Sequence, residues 1–400
     1  MAILSVNAGS SSLKFSLHRF HDHNVDSAWV SGCLQGLEPG GTPSLDWSMA
    51  GESRHETLLV EHGDGFASAL QRLRNWLREL PGMPPLRAVA HRVVHGGAEF
   101  SSATRVTPEV MARLATLNSL APLHQPHNLA GIQAMAQAFP DLPQIACFDT
   151  AFHADVPTLH QRFGVPRALH DQGVRRYGFH GLSYQYILQS LQRHSTRAHQ
   201  RLLLAHLGNG ASLCAVRDGK SLATTMGFSA LDGLMMGTRS GALDPGVLLY
   251  LLEQGWSHDR LERLLYKESG LLGVSGISAD VRRLRQSAEP PAQEALALFT
   301  HRVVREAGAM AACLQGLDVL AFSGGIGEHD AVLRAKVCEA LSWMGVRLDN
   351  GRNQAARGDV IVPVHADDSR IEVWVIPTDE GRVAAQQALA WLEQQPEHAA

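Results

Sequence analysis

The sequence lacks most of what marks a membrane, secreted or nucleic-acid-binding chain. No stretch of its 400 residues approaches the ~18 consecutive uncharged apolar residues of a membrane helix. The opening run Met1–Val6 has no basic flank and is too short for a secretory signal, so a cytoplasmic location is expected. Cysteine is scarce: Cys33, Cys147, Cys214, Cys313 and Cys338 are odd in number, scattered and without a CxxC pair, which excludes a disulfide framework and a zinc knuckle. Lysine occurs only at positions 14, 220, 267 and 336, and 35 basic residues face 39 acidic ones for a net charge of −4. Neither a basic stripe for nucleic acid nor an acidic disordered tail fits that balance, and partners recognised by bulk charge are not expected. Among 21 histidines there is no HExxH and no zinc-ligand spacing, and no GxSxG elbow occurs, so zinc-enzyme and serine-hydrolase readings fall away.

What is present is a chain 45% hydrophobic and long enough for two domains. Residues 2–6 read as a buried strand, Asn7 to Ser12 as a Gly/Ser-rich turn and Leu13 to Leu17 as an alternating strand. The layout returns near residue 202, where Leu-Leu-Leu-Ala-His-Leu leads into Gly208-Asn209-Gly210, a second strand and the Asp218-Gly219 hairpin signal. Half a chain separates the copies, which predicts two related α/β lobes, each offering a backbone-rich turn. Helical spacing links Phe66, Leu70, Leu73, Leu77 and Leu80, and Thr107-Pro108-Glu109 opens another helix. An apolar stripe from Leu296 through Phe299, Val303, Ala307 and Met310 to Leu314 stops at Gly316, before a strand at 318–322. A last strand at 371–377 precedes a helix through Trp391, and residues 393–400 are expected to fray.

The turn Asn7-Ala8-Gly9-Ser10-Ser11-Ser12, with Lys14 close behind, offers N–H groups and hydroxyls suited to phosphate oxygens, although a plain surface hairpin carries the same residues. Ser323-Gly324-Gly325-Ile326-Gly327-Glu328 follows a strand and opens a helix, the setting of either a nucleotide turn or a tight structural one. Arg92 and Arg239 both sit among glycines, where a bidentate cation suits an anion. Asp149 ends an apolar strand, Glu380 follows another, and His180 lies between small residues. Together these groups supply the parts of phosphoryl transfer: carboxylates for a divalent cation, and Arg and His donors for the moving charge.

Ten segments, VNAGSSSLKF (6–15), HRVVHGG (91–97), LAPLH (120–124), FDTAFH (148–153), RRYGFHG (175–181), AHLGNGAS (205–212), GLMMGTRSG (233–241), GISAD (276–280), GGIGE (324–328) and IPTDE (376–380), resemble in order the acetokinase family, acetate kinase and related acyl kinases of the actin-like superfamily. The resemblance implies two duplicated actin-like (ribonuclease H-like) domains flanking an active-site cleft, residues 1–148 with 382–400 as one lobe and 149–381 as the nucleotide-binding lobe. It implies a homodimer that reversibly transfers phosphate between ATP and acetate, or another short-chain carboxylate, giving ADP and an acyl phosphate. Mg²⁺ is the implied metal, with Mn²⁺ as a substitute; neither nucleic acid nor a membrane is an implied partner. Carried onto this chain, Arg92, Arg239, His180 and Asp149 would be catalytic, and Arg92, Val94, Leu123 and Phe179 would bind the carboxylate and its methyl group. Ser10, Ser12, Lys14, His206, Asn209, Gly210, Asp280, Arg282, Gly325 and Gly327 would bind ATP, and Asn7 and Glu380 would serve the metal.

The chain departs from the family pattern where Gln125, Leu182, Tyr184, Ala230, His329 and Asp379 stand for the usual Asn, Thr, His, Pro, Asn and Asn. None replaces a residue assigned to catalysis. Loss of the proline ring at Ala230, beside the methyl pocket, leaves space for one more methylene. Propionate or butyrate kinase therefore stays open as a second enzyme, and an ATP-switched chaperone or filament protein as a reading of another class.

Overall fold

The protein is described by a computed structural model covering residues 1–9, 11–37, 41–58 and 65–395. Ser10, residues 396–400 and the side chain of Phe66 lie outside that description. By its internal contacts the chain forms two compact units, Met1–Ala151 with the segment from Asp379 onward, and Phe152–Thr378. Asp149 and Glu380, assigned to the second lobe in the sequence reading, fall in the first unit. The reason is packing: Asp149 directly follows a strand of the first sheet, and Glu380 opens a helix seated on that sheet.

The first unit is built on strands Ala2–Ala8 (β1), Leu13–His21 (β2), Asn24–Gln35 (β3), Ser44–Met49 (β4), Glu52–Thr57 (β5), Leu86–Val93 (β6), Thr104–Arg105 (β7) and Gln144–Phe148 (β8). They join in the order β5-β4-β3-β2-β1-β6-β8-β7. The first strand runs two residues beyond the predicted end, because Asn7 and Ala8 still pair with Lys14 and Leu13. Alternation sends Leu13, Phe15 and Leu17 into a core with Val6, Leu70, Leu73 and Leu77, the last three from the helix Gly65–Glu79. The helix Glu380–Glu393 buries Val383, Ala384, Ala385 and Ala388. A Cβ on Gly381 would stand 2.3 Å from Ser16 Oγ, so glycine there lets the helix start close against β2.

Strands Arg201–Leu207 (β9), Ala211–Arg217 (β10), Lys220–Thr224 (β11), Val319–Ser323 (β12), Val362–Pro363 (β13) and Glu372–Val375 (β14) form the second sheet, ordered β11-β10-β9-β12-β14-β13. The run β11-β10-β9-β12-β14 repeats β3-β2-β1-β6-β8 in both order and sense, two antiparallel steps and then two parallel ones. The duplication legible in the two hairpins thus extends to five strands. Asp218 and Gly219 both take positive φ (52° and 76°), the geometry of a tight hairpin turn. The stripe from Leu296 to Leu314 is the buried side of the helix Pro290–Leu314. Four further helices, Pro245–Glu253, His258–Lys267, Gly270–Ser275 and Val281–Gln286, precede it and were not anticipated.

Candidate active site

In the first unit, the parallel strands β1, β6 and β8 end side by side, so Asn7, Arg92 and Asp149 gather along their C-terminal edge, where α/β sheets characteristically place their chemistry. Arg92 Nε donates to Asp149 Oδ1 (3.0 Å) and Oδ2 (3.2 Å), and Nη2 donates to Oδ2 at 2.7 Å. On its other edge Nη1 lies 3.2 Å from Glu380 Oε2. Asp149 is 1% exposed, whereas Arg92 and Glu380 are each 19% exposed. Burial opposes the Arg92 cation, but the carboxylates of Asp149 and Glu380 outweigh it and hold its pKa above the ordinary value. The pair is a forked, charge-assisted clamp that fixes one edge of the guanidinium.

The loop after β6 is held mainly by side-chain amides. Val94 N–H donates to Asn128 Oδ1 (3.0 Å), and Asn128 Nδ2 donates to Ala8 O (2.8 Å), tying the exits of β1 and β6 together. Gln125, at a position where the family usually has Asn, exchanges two bonds with the His95 backbone at 3.1 and 3.0 Å. Val94 is buried and Leu123 half-buried, both in the first unit, whereas Phe179 is buried in the second. In the turn after β1, Gly9 N–H donates to Ser12 O (2.8 Å). Lys14 is exposed and pairs across β1 with Asn7.

The second unit repeats the logic at the ends of β9 and β12. His180 enters the helix Gly181–His194 in the left-handed conformation (φ 59°), unusual for a non-glycine residue and a form of strain common at functional sites. Gly178, two residues earlier, also has positive φ (78°), and a Cβ there would strike the His153 ring and Thr224 at 2.7 Å. The His180 ring stacks on His206 with centroids 4.2 Å apart, and its Nδ1 is 2.8 Å from Ser212 Oγ. Arg239 Nη1 donates to Ala230 O at 2.8 Å. A Cβ on Gly210 would lie 2.7 Å from Arg239 Nη2 and 3.3 Å from His180 Nε2, so the bare α-carbon of Gly210 is where these two side chains converge.

The two glycine-rich turns of this unit touch: a Cβ on Gly324 would meet Leu207 O at 2.8 Å, and one on Gly208 would come within 3.9 Å of Gly325 N. His206, Asn209, Gly210, Gly325 and Gly327 are thereby brought to one edge, and Asn209 Oδ1 packs against Gly237. Asp280 caps the helix Val281–Gln286 and grips Arg282 through Nε (3.1 Å) and Nη2 (2.7 Å), so this pair is first of all its own ion pair. Beside it, Ala279 Cβ lies 3.4 Å from the Cβ position of Gly237, which also packs against Asn209.

Several supporting residues escaped the sequence reading. Glu328, whose pKa burial pushes up, accepts from Gly324 N–H (2.8 Å) and Thr378 N–H (3.0 Å). Ser183 Oγ links His206 Nδ1 (2.8 Å) to Thr378 Oγ1 (3.0 Å). Arg334 is wholly buried and donates to Gly327 O, Glu328 O, Asn353 O and Ala356 O at 2.7–3.0 Å, closing the helix Gly324–His329 from behind. No sequence signal marks them except that Glu328 belongs to the GGIGE segment.

The model of the acetokinase family matches residues 2–386. An acetate kinase of Rhodopseudomonas palustris is 50% identical over 96% of this chain and 96% of its own length, and one of Methylocella silvestris is 45% identical over 98% of each. Among solved structures, Porphyromonas gingivalis acetate kinase superposes with a TM-score of 0.86 at 35% identity, over 97% of this chain and 99% of that one. A Francisella tularensis propionate kinase superposes at 0.88 with 34% identity, over 96% and 98%. With the family model matched over residues 2–386 and relatives up to 50% identical over nearly the whole chain, the chain belongs to the acetokinase family.

Proposed function

We propose that the protein is a phosphotransferase with a carboxylate acceptor, moving the terminal phosphoryl group of ATP to acetate and back by direct in-line transfer. The observation that carries this reading is a pair of arginines, each fixed at one edge by a partner of its own: Arg92 by Asp149 and Arg239 by the Ala230 carbonyl. A carboxylate nucleophile is already ionised near neutral pH, so no strong general base is required, and catalysis reduces to alignment and charge neutralisation. Asp149, with both oxygens on Arg92, aims the guanidinium and does not take a proton. Arg239 and the His180 ring donate to the oxygens of the moving group, and the bare Gly210 leaves them room. Val94, Leu123 and Phe179 exclude water around the methyl group. Ser10, Ser12 and Lys14 contact the phosphates of ATP, with His206, Asn209, Gly210, Gly325 and Gly327 on the nucleotide side and Asp280 and Arg282 beside the nucleoside.

The metal in this reading is Mg²⁺. Asn7 and Glu380 offer oxygen donors, as a hard cation requires, and among the described residues no group of three or more His, Cys, Asp or Glu gathers to form a protein cage. That donor set fits a cation carried on nucleotide phosphates and held by one or two side chains, where it neutralises phosphate charge. The homodimer belongs to the same reading. The helix Pro245–Glu253 buries none of its residues and exposes Leu249 (62%) and Tyr250 (59%), together with Val247 and Leu252, an apolar face that a second copy would cover. A cytoplasmic location is supported by five free thiols.

The test is a panel of two- to four-carbon carboxylates with ATP and Mg²⁺, acyl phosphate being trapped with hydroxylamine. Acyl hydroxamate formed by the wild type and lost in Arg92→Ala and Arg239→Ala supports the reading. ATP-dependent sedimentation without hydroxamate would replace it with the filament alternative.

A further inference from the structure

The helix that starts at His180 carries, one turn later, a residue at which this chain leaves the family pattern. Tyr184 is completely buried against Phe152 and His153, and its hydroxyl is 2.5 Å from Ser212 Oγ. Ser212 is equally buried and its Oγ also meets His180 Nδ1 at 2.8 Å. Among the described residues Ser212 Oγ is the one acceptor within hydrogen-bond distance of the phenol. The phenol's hydrogen therefore goes to Ser212, and Ser212 must pass its own hydrogen to the imidazole. In the opposite direction the serine would donate to the phenol, whose own hydrogen would be buried with nothing to accept it.

We propose that Tyr184 is a positioning residue which, through Ser212, holds neutral His180 with its proton on Nε2. That nitrogen is the one turned toward Gly210 and the Arg239 guanidinium, where a donor is wanted and a lone pair would repel phosphoryl oxygens. The tautomer follows from hydrogen-bond direction alone; only its kinetic consequence rests on the phosphoryl-transfer reading. Phenylalanine at 184 keeps the ring packing but removes the serine's donor. Each orientation of Ser212 then leaves one valence unmet, so the preference between tautomers is lost.

Nitrogen-detected NMR of the His180 ring in the full-length protein, together with steady-state kinetics, tests this for Tyr184→Phe, Ser212→Ala and the double variant. The expected result is Nε2 protonation in the wild type and a mixture of tautomers in each variant. In the kinetics, kcat should fall about tenfold, with both KM values within about twofold. The double variant should be no worse than either single one, because both cut the same relay. Protonation on Nδ1 in the wild type, an unchanged tautomer in Tyr184→Phe, or kcat losses that multiply in the double variant would each overturn the proposal. If Tyr184→Phe fails to fold, Ser212→Ala alone decides through the same nitrogen signal. A wild type that forms no acyl phosphate defeats the function assigned above and leaves the tautomer measurement to decide this one.

Discussion

Arg92 and Asp149 face each other across neighbouring parallel strands, joined by three hydrogen bonds of 2.7–3.2 Å, with the carboxylate sealed from solvent behind the guanidinium. The carboxylate is therefore an anchor. Removing it in Asp149→Ala leaves Arg92 with Glu380 alone, so the guanidinium swings off its aim. We expect kcat to drop by ~10²–10³, the cost typical of losing one preorganised donor to developing charge. A variant with wild-type kcat would show that Arg92 needs no such anchor.

Gly210 leaves a bare α-carbon against Arg239 and His180. Alanine there would push a methyl group to 2.7 Å from Arg239 Nη2 and 3.3 Å from His180 Nε2. In Gly210→Ala we expect kcat to fall at least ~30-fold, about 2 kcal/mol of transition-state stabilisation, with the thermal midpoint little changed. Equal loss of stability and activity would assign the glycine to folding instead.

His91 should make stability depend on pH. Burial holds its pKa down at about 4, partly offset by the bond from Nε2 to Gln144 Oε1 (2.7 Å). The unfolded chain, with an ordinary histidine near 6.5, binds the proton first. The contribution is thus complete above pH ~6.5 and lost as pH falls toward 4, up to roughly 3 kcal/mol over that window. Urea midpoints at pH 7 and 4.5 should differ more in the wild type than in His91→Gln, and matching differences would remove the assignment.

Arg334→Met should unfold at lower urea by an amount on the order of 3 kcal/mol, because four carbonyl oxygens behind the Gly324–Gly327 turn lose their donor. On the function proposed above that turn flanks the nucleotide, and the KM for ATP should rise with it. A stability loss without change in KM would separate the buttress from the site.

Ala230 is buried and its carbonyl holds Arg239; on the function proposed above, the proline ring that the family usually carries here would border the acceptor pocket. We expect propionate to be phosphorylated with kcat/KM within ~200-fold of acetate, the most that one methylene discriminates. A larger preference for acetate would mean that other side chains close the space.

Much of this was legible before any coordinates. The hairpins at 2–17 and 202–224, the helix from Thr107 and the stripe from Leu296 to Leu314 carry local signals, period, cap and turn residue, that tertiary packing does not override here. The meander of β3 to β5 and the four helices between Pro245 and Gln286 were missed. Strand β5 is exposed almost throughout and Pro245–Glu253 is apolar all round, so neither has a readable period. His258–Lys267, capped by Ser257 and burying Leu261 and Tyr266, carried a signal that was overlooked. Of the site, the residues within motifs were named, but their supports, Asn128, Ser183, Ser212, Glu328 and Arg334, were not. Each acts through a partner 19 to 195 residues away, and no one-dimensional pattern records that.

The sequence by itself determined the duplicated α/β plan, the glycine turns and the residue types suited to moving a phosphoryl group, because backbone preference and side-chain chemistry are properties of single residues and their near neighbours. Only the tertiary structure decided which groups are anchored and in which direction they donate: Arg92 by Asp149, His180 by Ser212 and Tyr184, the Gly327 turn by Arg334. Those are matters of distance between parts of the chain remote in order, and a buried polar group takes whatever partner the packed fold brings within reach.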